Sequence, residues 1–202
     1  MDITQKSKVY VTNLLTKCLP EKFSFHNLDH TQEVVDAVKT ISKQYSLNDD
    51  EMEILMVSAW FHDTGFIHFY ENHEMESMFI AQSTLQDWGY DAGKTQKILD
   101  CISATRFPNQ PTSLPAEILC DADFYHLSQP DYWGKNALLR KERSFHLGLA
   151  ISEQKWYAEN LDFLKEHQYF TQFGKESLEL EKRKHFVENI FILETLEVNE
   201  AP

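Results

Sequence analysis

An all-α fold is predicted by three features of this sequence. Gly and Pro, the residues that interrupt helices, occur only 6 times each among 202 residues, about half their usual share. Leu, Glu, Lys and Gln, which lose little side-chain freedom in a helix, are abundant. Apolar residues recur at three- and four-residue spacing along most of the chain, and the alternation of a half-buried strand is hard to find. The length suits a single compact domain over residues 1–202, with a core at about 25–143 and further helices at about 152–198 packing on it.

The first helix is expected over 3–19 and is stopped by Pro20. A second begins near Asn27 and carries Val34, Val35, Val38 and Ile41 on one face. Asn48, Asp49 and Asp50 form an N-terminal capping cluster for a third, over 51–62. Met52, Ile54, Leu55, Met56, Val57, Ala59, Trp60 and Phe61 leave that helix almost no polar side, so it should lie at the centre of the fold. The fourth, over 72–88, presents Met75, Met78, Phe79, Ala81 and Leu85 as its apolar side and ends at Gly89. A fifth covers 92–105 and leads into a proline-containing loop, 107–115. Helices at 116–127, 131–147, 152–167 and 175–198 complete the chain. In the last of these, Leu178, Phe186, Val187, Ile190, Phe191, Leu193 and Leu196 form a stripe expected to pack back on the domain, with a homodimer contact as its other use. Trp156, Tyr157, Phe163, Tyr169, Phe170 and Phe173 read as core rather than as a base-stacking platform.

Charge excludes one class of partner. With 19 Lys and Arg against 32 Asp and Glu, the formal net charge is −13, which repels a nucleic-acid polymer. The densest basic stretches, Arg140, Lys141, Arg143 and Lys182, Arg183, Lys184, are interleaved with or flanked by Glu and read as solvated helix faces. Cys18, Cys101 and Cys120 have neither metal-ligand nor redox spacing, which points to buried, reduced thiols in a cytoplasmic protein. The polar N-terminus lacks the apolar core of a signal peptide, and no segment approaches membrane-spanning length, so no membrane partner is expected.

The informative residues break local rules. His62-Asp63 ends the most hydrophobic helix, where a carboxylate carries a heavy desolvation penalty unless it is paired or bound to a metal. Asp121 and Asp123 lie inside the apolar stretch Ile118-Leu119-Cys120-Asp121-Ala122-Asp123-Phe124 and pose the same problem. His30 heads the second helix where its apolar face begins. Each feature alone reads more simply as a salt bridge, cap or turn former. Together, two imidazoles and two or three carboxylates form a mixed nitrogen and oxygen set suited to a divalent transition metal.

That ordered set resembles the HD-domain superfamily of metal-dependent phosphohydrolases, an all-helical fold named for its His-Asp pair. The resemblance spans about 25–143. It rests on Phe25-His26-Asn27-Leu28-Asp29-His30-Thr31, Trp60-Phe61-His62-Asp63-Thr64-Gly65, Asn72-His73-Glu74-Met75-Glu76-Ser77 and Leu119-Cys120-Asp121-Ala122-Asp123. It implies metal ligands at His30, His62, Asp63 and Asp123. The resemblance favours Asp123 over Asp121, because the family's acid usually follows a small residue and Asp123 follows Ala122; Asp121 would then serve as an outer acceptor. The string His26-Asn27-x-x-His30 is similar to the first motif of cyclic-nucleotide phosphodiesterases, which implies His26 as general acid; a surface or capping histidine is the equal alternative. His73 corresponds to a residue that meets a second metal or a substrate phosphate.

Two-metal members of the superfamily carry another His before the final Asp. Ile102-Ser103-Ala104-Thr105-Arg106-Phe107-Pro108 has none, so one ion per chain is expected and a second is left open. Arg106 or Thr105 is a candidate to meet the substrate phosphate directly, with an exposed structural Arg as the alternative. The implied reaction is hydrolysis of a phosphate mono- or diester of a nucleotide or other small molecule. The cofactor would be one of Mn, Ni, Co, Fe, Zn or Mg. Asp63 would double as ligand and proton acceptor, and His26 or His73 would protonate the leaving oxygen. A signalling domain without turnover is the alternative, and a di-iron oxygenase of the same superfamily is the weaker one.

Overall fold

The computed structural model describes residues 2–108 and 111–200, so Asn109 and Gln110 of the expected 107–115 loop lie outside the described residues. The chain divides into two compact units, Met1–Phe124 and Tyr125–Pro202. Among the described residues there is no strand.

The first unit contains α1 (Ile3–Cys18), α2 (Leu28–Ser42), α3 (Asp49–Phe61), α4 (His73–Asp87), α5 (Ala92–Ala104) and α6 (Leu114–Asp123), with a 3-10 turn at Thr64–Ile67 between α3 and α4. Several helices start where a side chain can cap them. Asn27 Oδ1 accepts from the backbone N–H groups of Asp29 and His30. Asn48 and Glu51 close a reciprocal capping box at α3, each accepting from the other's backbone N–H at 2.9 Å. Ser113 caps α6, whose first turn holds Pro115.

The nearly continuous apolar run of α3 has the expected consequence. Its residues from Ile54 to Phe61 are buried except Met56, and α1, α2, α5 and α6 all pack around it. The His62-Asp63 pair therefore emerges at the inner end of the most enclosed helix. α2 lies against both α3 and α6, which brings His30 toward that end and sets Asp123 opposite it.

Three local expectations are corrected. The sixth helix ends at Asp123 rather than at 127: the Phe124 backbone, at φ −91° and ψ 15°, leaves the helical conformation, and Tyr125–Ser128 form a separate 3-10 turn. In α4, Met75 and Phe79 are exposed, while Ser77, Ala81, Thr84 and Leu85 are buried. The reason is close approach. A Cβ on Gly65 would sit 2.0 Å from the His73 carbonyl oxygen, so only small side chains of α4 fit beneath that turn. Cys18 is exposed, whereas Cys101 and Cys120 are buried as expected.

The second unit contains a 3-10 turn (Tyr125–Ser128), α7 (Tyr132–Leu147), α8 (Glu153–Glu166), a π-type turn (Gly174–Leu178) and α9 (Glu179–Glu200). Trp156 and Tyr169 are buried, and Tyr157, Phe163, Phe170 and Phe173 are half-buried. A chain of amides runs through this unit: Trp156 donates to Asn136, Asn136 to Asn160, and Asn160 to Asn189. Lys182 corrects the reading of its basic stretch as a solvated face. It is buried, donates to the His167 carbonyl at 2.6 Å and pairs with Glu179 at 2.8 Å.

Candidate metal centre

Four side chains converge in the first unit. Donor atoms of His30, His62, Asp63 and Asp123 all lie within 4.8 Å of one another, and among the described residues no other group of three or more such side chains does so. His30 sits in the first turn of α2, His62 and Asp63 follow the last turn of α3, and Asp123 closes α6. His30 Nε2 is 3.4 Å from Asp63 Oδ2 and 3.1 Å from Asp123 Oδ1. His62 Nε2 is 3.3 Å from Asp63 Oδ2 and 3.5 Å from Asp123 Oδ1.

These separations fit a cation. Donors each about 2.1 Å from one ion stand about 3.0 Å apart at right angles and about 3.4 Å apart in a tetrahedron. A second observation agrees. His62 Nε2 and Asp63 Oδ2 are buried and complete no hydrogen bond, although their contacts are within electrostatic reach. Buried polar atoms are normally satisfied, and here a divalent ion is the partner that the donor set fits.

Electrostatics follow from the packing. Burial alone would lower the pKa of His62, but the charge of Asp63 and the contacts with Asp123 outweigh it and hold the imidazole well above its ordinary 6.5. Burial pushes Asp63 and Asp123 up, and their histidine neighbours more than reverse that, leaving both carboxyls below the ordinary range. His62 and the two carboxylates thus hold one another charged, with a proton where a metal would sit. His62 is also fixed in orientation. Its Nδ1–H donates to the Ala59 carbonyl at 2.9 Å, which directs Nε2 into the cluster.

A second group of residues adjoins the first. Asp63 turns Oδ2 toward His30 and His62 and Oδ1 toward His73, whose Nε2 is 3.5 Å away. His73 Nδ1–H donates to the Tyr70 carbonyl at 3.2 Å, and Glu74 Oε1 lies 3.6 Å from His73 Nε2. His26 is half-buried, with its ring centre 5.6 Å from that of His30 and 6.2 Å from that of His73. Phe66 stacks on both, at 4.3 Å from His26 and 3.8 Å from His73.

Arg106 and Thr105 are not drawn into this group. The Thr105 hydroxyl donates to the Ile102 carbonyl of its own helix at 2.8 Å. The Arg106 guanidinium donates to Asn72 Oδ1 at 3.1 Å and is exposed. Asn72 has φ +59°, a left-handed conformation uncommon outside glycine, immediately before His73. Arg106 therefore braces the entry to α4.

Phe66, Glu74 and Ser77 were not singled out as functional from sequence. Ser77 Oγ accepts from the Gly65 N–H at 2.8 Å in a fully buried contact, tying the turn after Asp63 to α4. The signal for this coupling was Gly65 itself, one of few glycines in a helical chain. What it packs against is settled only by the close approach to His73 and Ser77.

Comparison with known proteins agrees with this architecture. A comparison with curated proteins finds no match. A crystal structure of a protein from Lactobacillus plantarum, a structural genomics target, is similar at 17% identity and a TM-score of 0.65, covering 98% of each chain. At that identity the likeness concerns the fold. The family model for the HD domain matches residues 27–127, half of the chain, and its bounds take in His30, His62, Asp63 and Asp123. With its helices arranged around a His-Asp pair at the end of α3, this chain belongs to the HD domain family.

Proposed function

We propose that this protein is a metal-dependent phosphohydrolase that cleaves a phosphate mono- or diester of a nucleotide or other small molecule. The observation that carries this reading is the quartet of three buried residues and the half-buried Asp123, in which His62 Nε2 and Asp63 Oδ2 lack hydrogen-bond partners beside His30 and Asp123. His30, His62, Asp63 and Asp123 would hold a divalent ion drawn from Mn, Ni, Co, Fe, Zn and Mg. Such an ion would supply Lewis acidity toward a phosphoryl oxygen and would acidify a water beside it.

The chain's own residues supply the rest. The carboxylate of Asp63 faces the quartet with one oxygen and His73 with the other, so it orients that imidazole while serving as a ligand. The Tyr70 carbonyl occupies His73 Nδ1–H, which leaves Nε2 to exchange a proton with the departing oxygen. His26, on the same Phe66 ring, is the second candidate for that task. Phe25, edge-on to His26 and tilted against His30, adds an apolar wall that restricts water. The net charge of −13 favours a small substrate over a polyanion, since attraction for phosphate is confined to the cation site. Three free cysteines support placement in the cytoplasm.

The test combines metal analysis with a phosphate-ester panel after loading with each of the six ions. The wild-type chain should retain metal and hydrolyse at least one ester. His62→Ala combined with Asp63→Ala should lose both properties. A metal-loaded wild-type protein inert toward the whole panel, or a double variant with full activity, refutes the reading.

A further inference from the structure

We propose that two copies of this chain associate through α9, helix on helix and antiparallel. On one side α9 is anchored in its own unit: Asn189 donates to the Tyr157 carbonyl and accepts from Asn160, and Lys182 is held by His167 and Glu179. The opposite side carries Leu180, Val187, Phe191 and Val198, which are 58%, 48%, 63% and 75% exposed. At about 100° per residue, these four lie within about 20° of the line opposite Asn189. Their steps of seven, four and seven residues follow the heptad spacing of a coiled-coil seam. The two remaining seam positions are Lys184 and Glu194, both exposed.

The order of these six residues is palindromic. Leu180 and Val198 stand nine residues either side of Asn189, Lys184 and Glu194 five, and Val187 and Phe191 two. A two-fold axis passing beside Asn189 would therefore set Leu180 against Val198 of the second copy, Lys184 against Glu194, and Val187 against Phe191. Symmetry repeats each layer, so four apolar layers and two ion pairs form one self-complementary contact. A parallel pair would stack Lys184 on Lys184 and Glu194 on Glu194, which like-charge repulsion disfavours. A shifted register separates both ion pairs, so the charges select the alignment as polar residues do in coiled-coil seams. Lys184 contacts Glu181 one turn back in the single chain, an exposed pairing of the kind that contributes little and exchanges readily. The anchored inner face presents the seam preformed, which lowers the ordering entropy of association.

Sedimentation of the full chain tests this contact through charge reversal. Wild type should dimerise, and Lys184→Glu or Glu194→Lys alone should weaken the dimer by at least about 10-fold. The two changes combined should restore the dissociation constant to within about 3-fold of wild type, because both ion pairs are rebuilt in reverse. Phe191→Asp should leave a monomer with unchanged helix content by circular dichroism. A wild-type chain monomeric up to about 100 µM overturns the proposal, since a contact that weak lies outside specific association. So does a dimer indifferent to the single reversals, or a double reversal no stronger than the singles.

Discussion

At the scale of single residues, the His-Asp turn depends on contacts that its own motif does not contain. Gly65 lies against the backbone of His73, so Gly65→Ala forces a Cβ to within 2.0 Å of a carbonyl oxygen. That variant should lose metal retention and melt earlier than wild type in the same thermal scan. Ser77→Ala is milder: it strands the buried Gly65 N–H and should destabilise by about 1–3 kcal/mol in urea unfolding. The thiols give a separate check. Burial raises the Cys101 thiol to about 12 and pushes Cys120 up further, while Cys18 is exposed. An aromatic disulfide reagent at pH 8 should therefore titrate one thiol in the native protein and three after denaturation. These residues show the limit of motif reading. His30, His62, Asp63 and Asp123 stood out as polar groups on apolar elements, whereas Ser77 and Phe66 look ordinary until α4 folds against the turn.

At the scale of elements, helix positions follow from period and caps, but helix orientation does not. The central position of α3 was legible because its apolar run leaves almost no polar side, while its start was expected at 51 and lies at Asp49, directly after the capping residue Asn48. α4 was legible in extent and not in rotation. Its apolar residues fall on two faces, and the close packing of Gly65 on His73 and Ser77 decides which one turns inward. Met75→Glu and Phe79→Glu should consequently shift stability by no more than about 0.5 kcal/mol each, as for ordinary surface changes. Leu85→Ala, on the buried face of the same helix, should destabilise by about 2–5 kcal/mol. Denaturant unfolding of the three variants compares the two faces directly. In α9 the same ambiguity runs deeper: the helix buries Lys182 and Asn189 and leaves Val187 and Phe191 in water, because His167, Glu179 and Asn160 supply partners for its polar side.

For the molecule as a whole, a metal at the candidate centre would compete with protons for the same atoms. The folded pKa of His62 is raised above its ordinary 6.5, so its stabilisation of the metal-free fold is complete below that value and fades as pH rises through the raised pKa. Asp63 and Asp123 are lowered, so their stabilisation is present above the ordinary carboxylate range and fades as pH falls. The chelated protein should lose stability on both sides of an intermediate pH. Loading with metal should remove the loss on the alkaline side, because the ion replaces the proton, and should add about 2.7 kcal/mol at a concentration 100 times Kd. Urea unfolding across pH, with chelator and with metal, measures both effects. Among the described residues no helix is long and apolar enough to cross a membrane.

Sequence alone determined the all-α class, the order and approximate extent of the helices, and which histidines and acids sit on apolar elements; the choice of Asp123 over Asp121 as the fourth residue of the candidate metal centre came from the resemblance to the HD family. Helical period, caps and the penalty for burying charge are local properties, and each is written in neighbouring residues. Tertiary structure decided which way α4 and α9 face, that Arg106 braces Asn72, and that Asp63 divides its two oxygens between the quartet and His73. Those outcomes depend on contacts between residues far apart in the chain, such as Gly65 with Ser77 and His30 with Asp123. Spacing along a sequence specifies which face of a helix a residue occupies. Only packing specifies what that face meets.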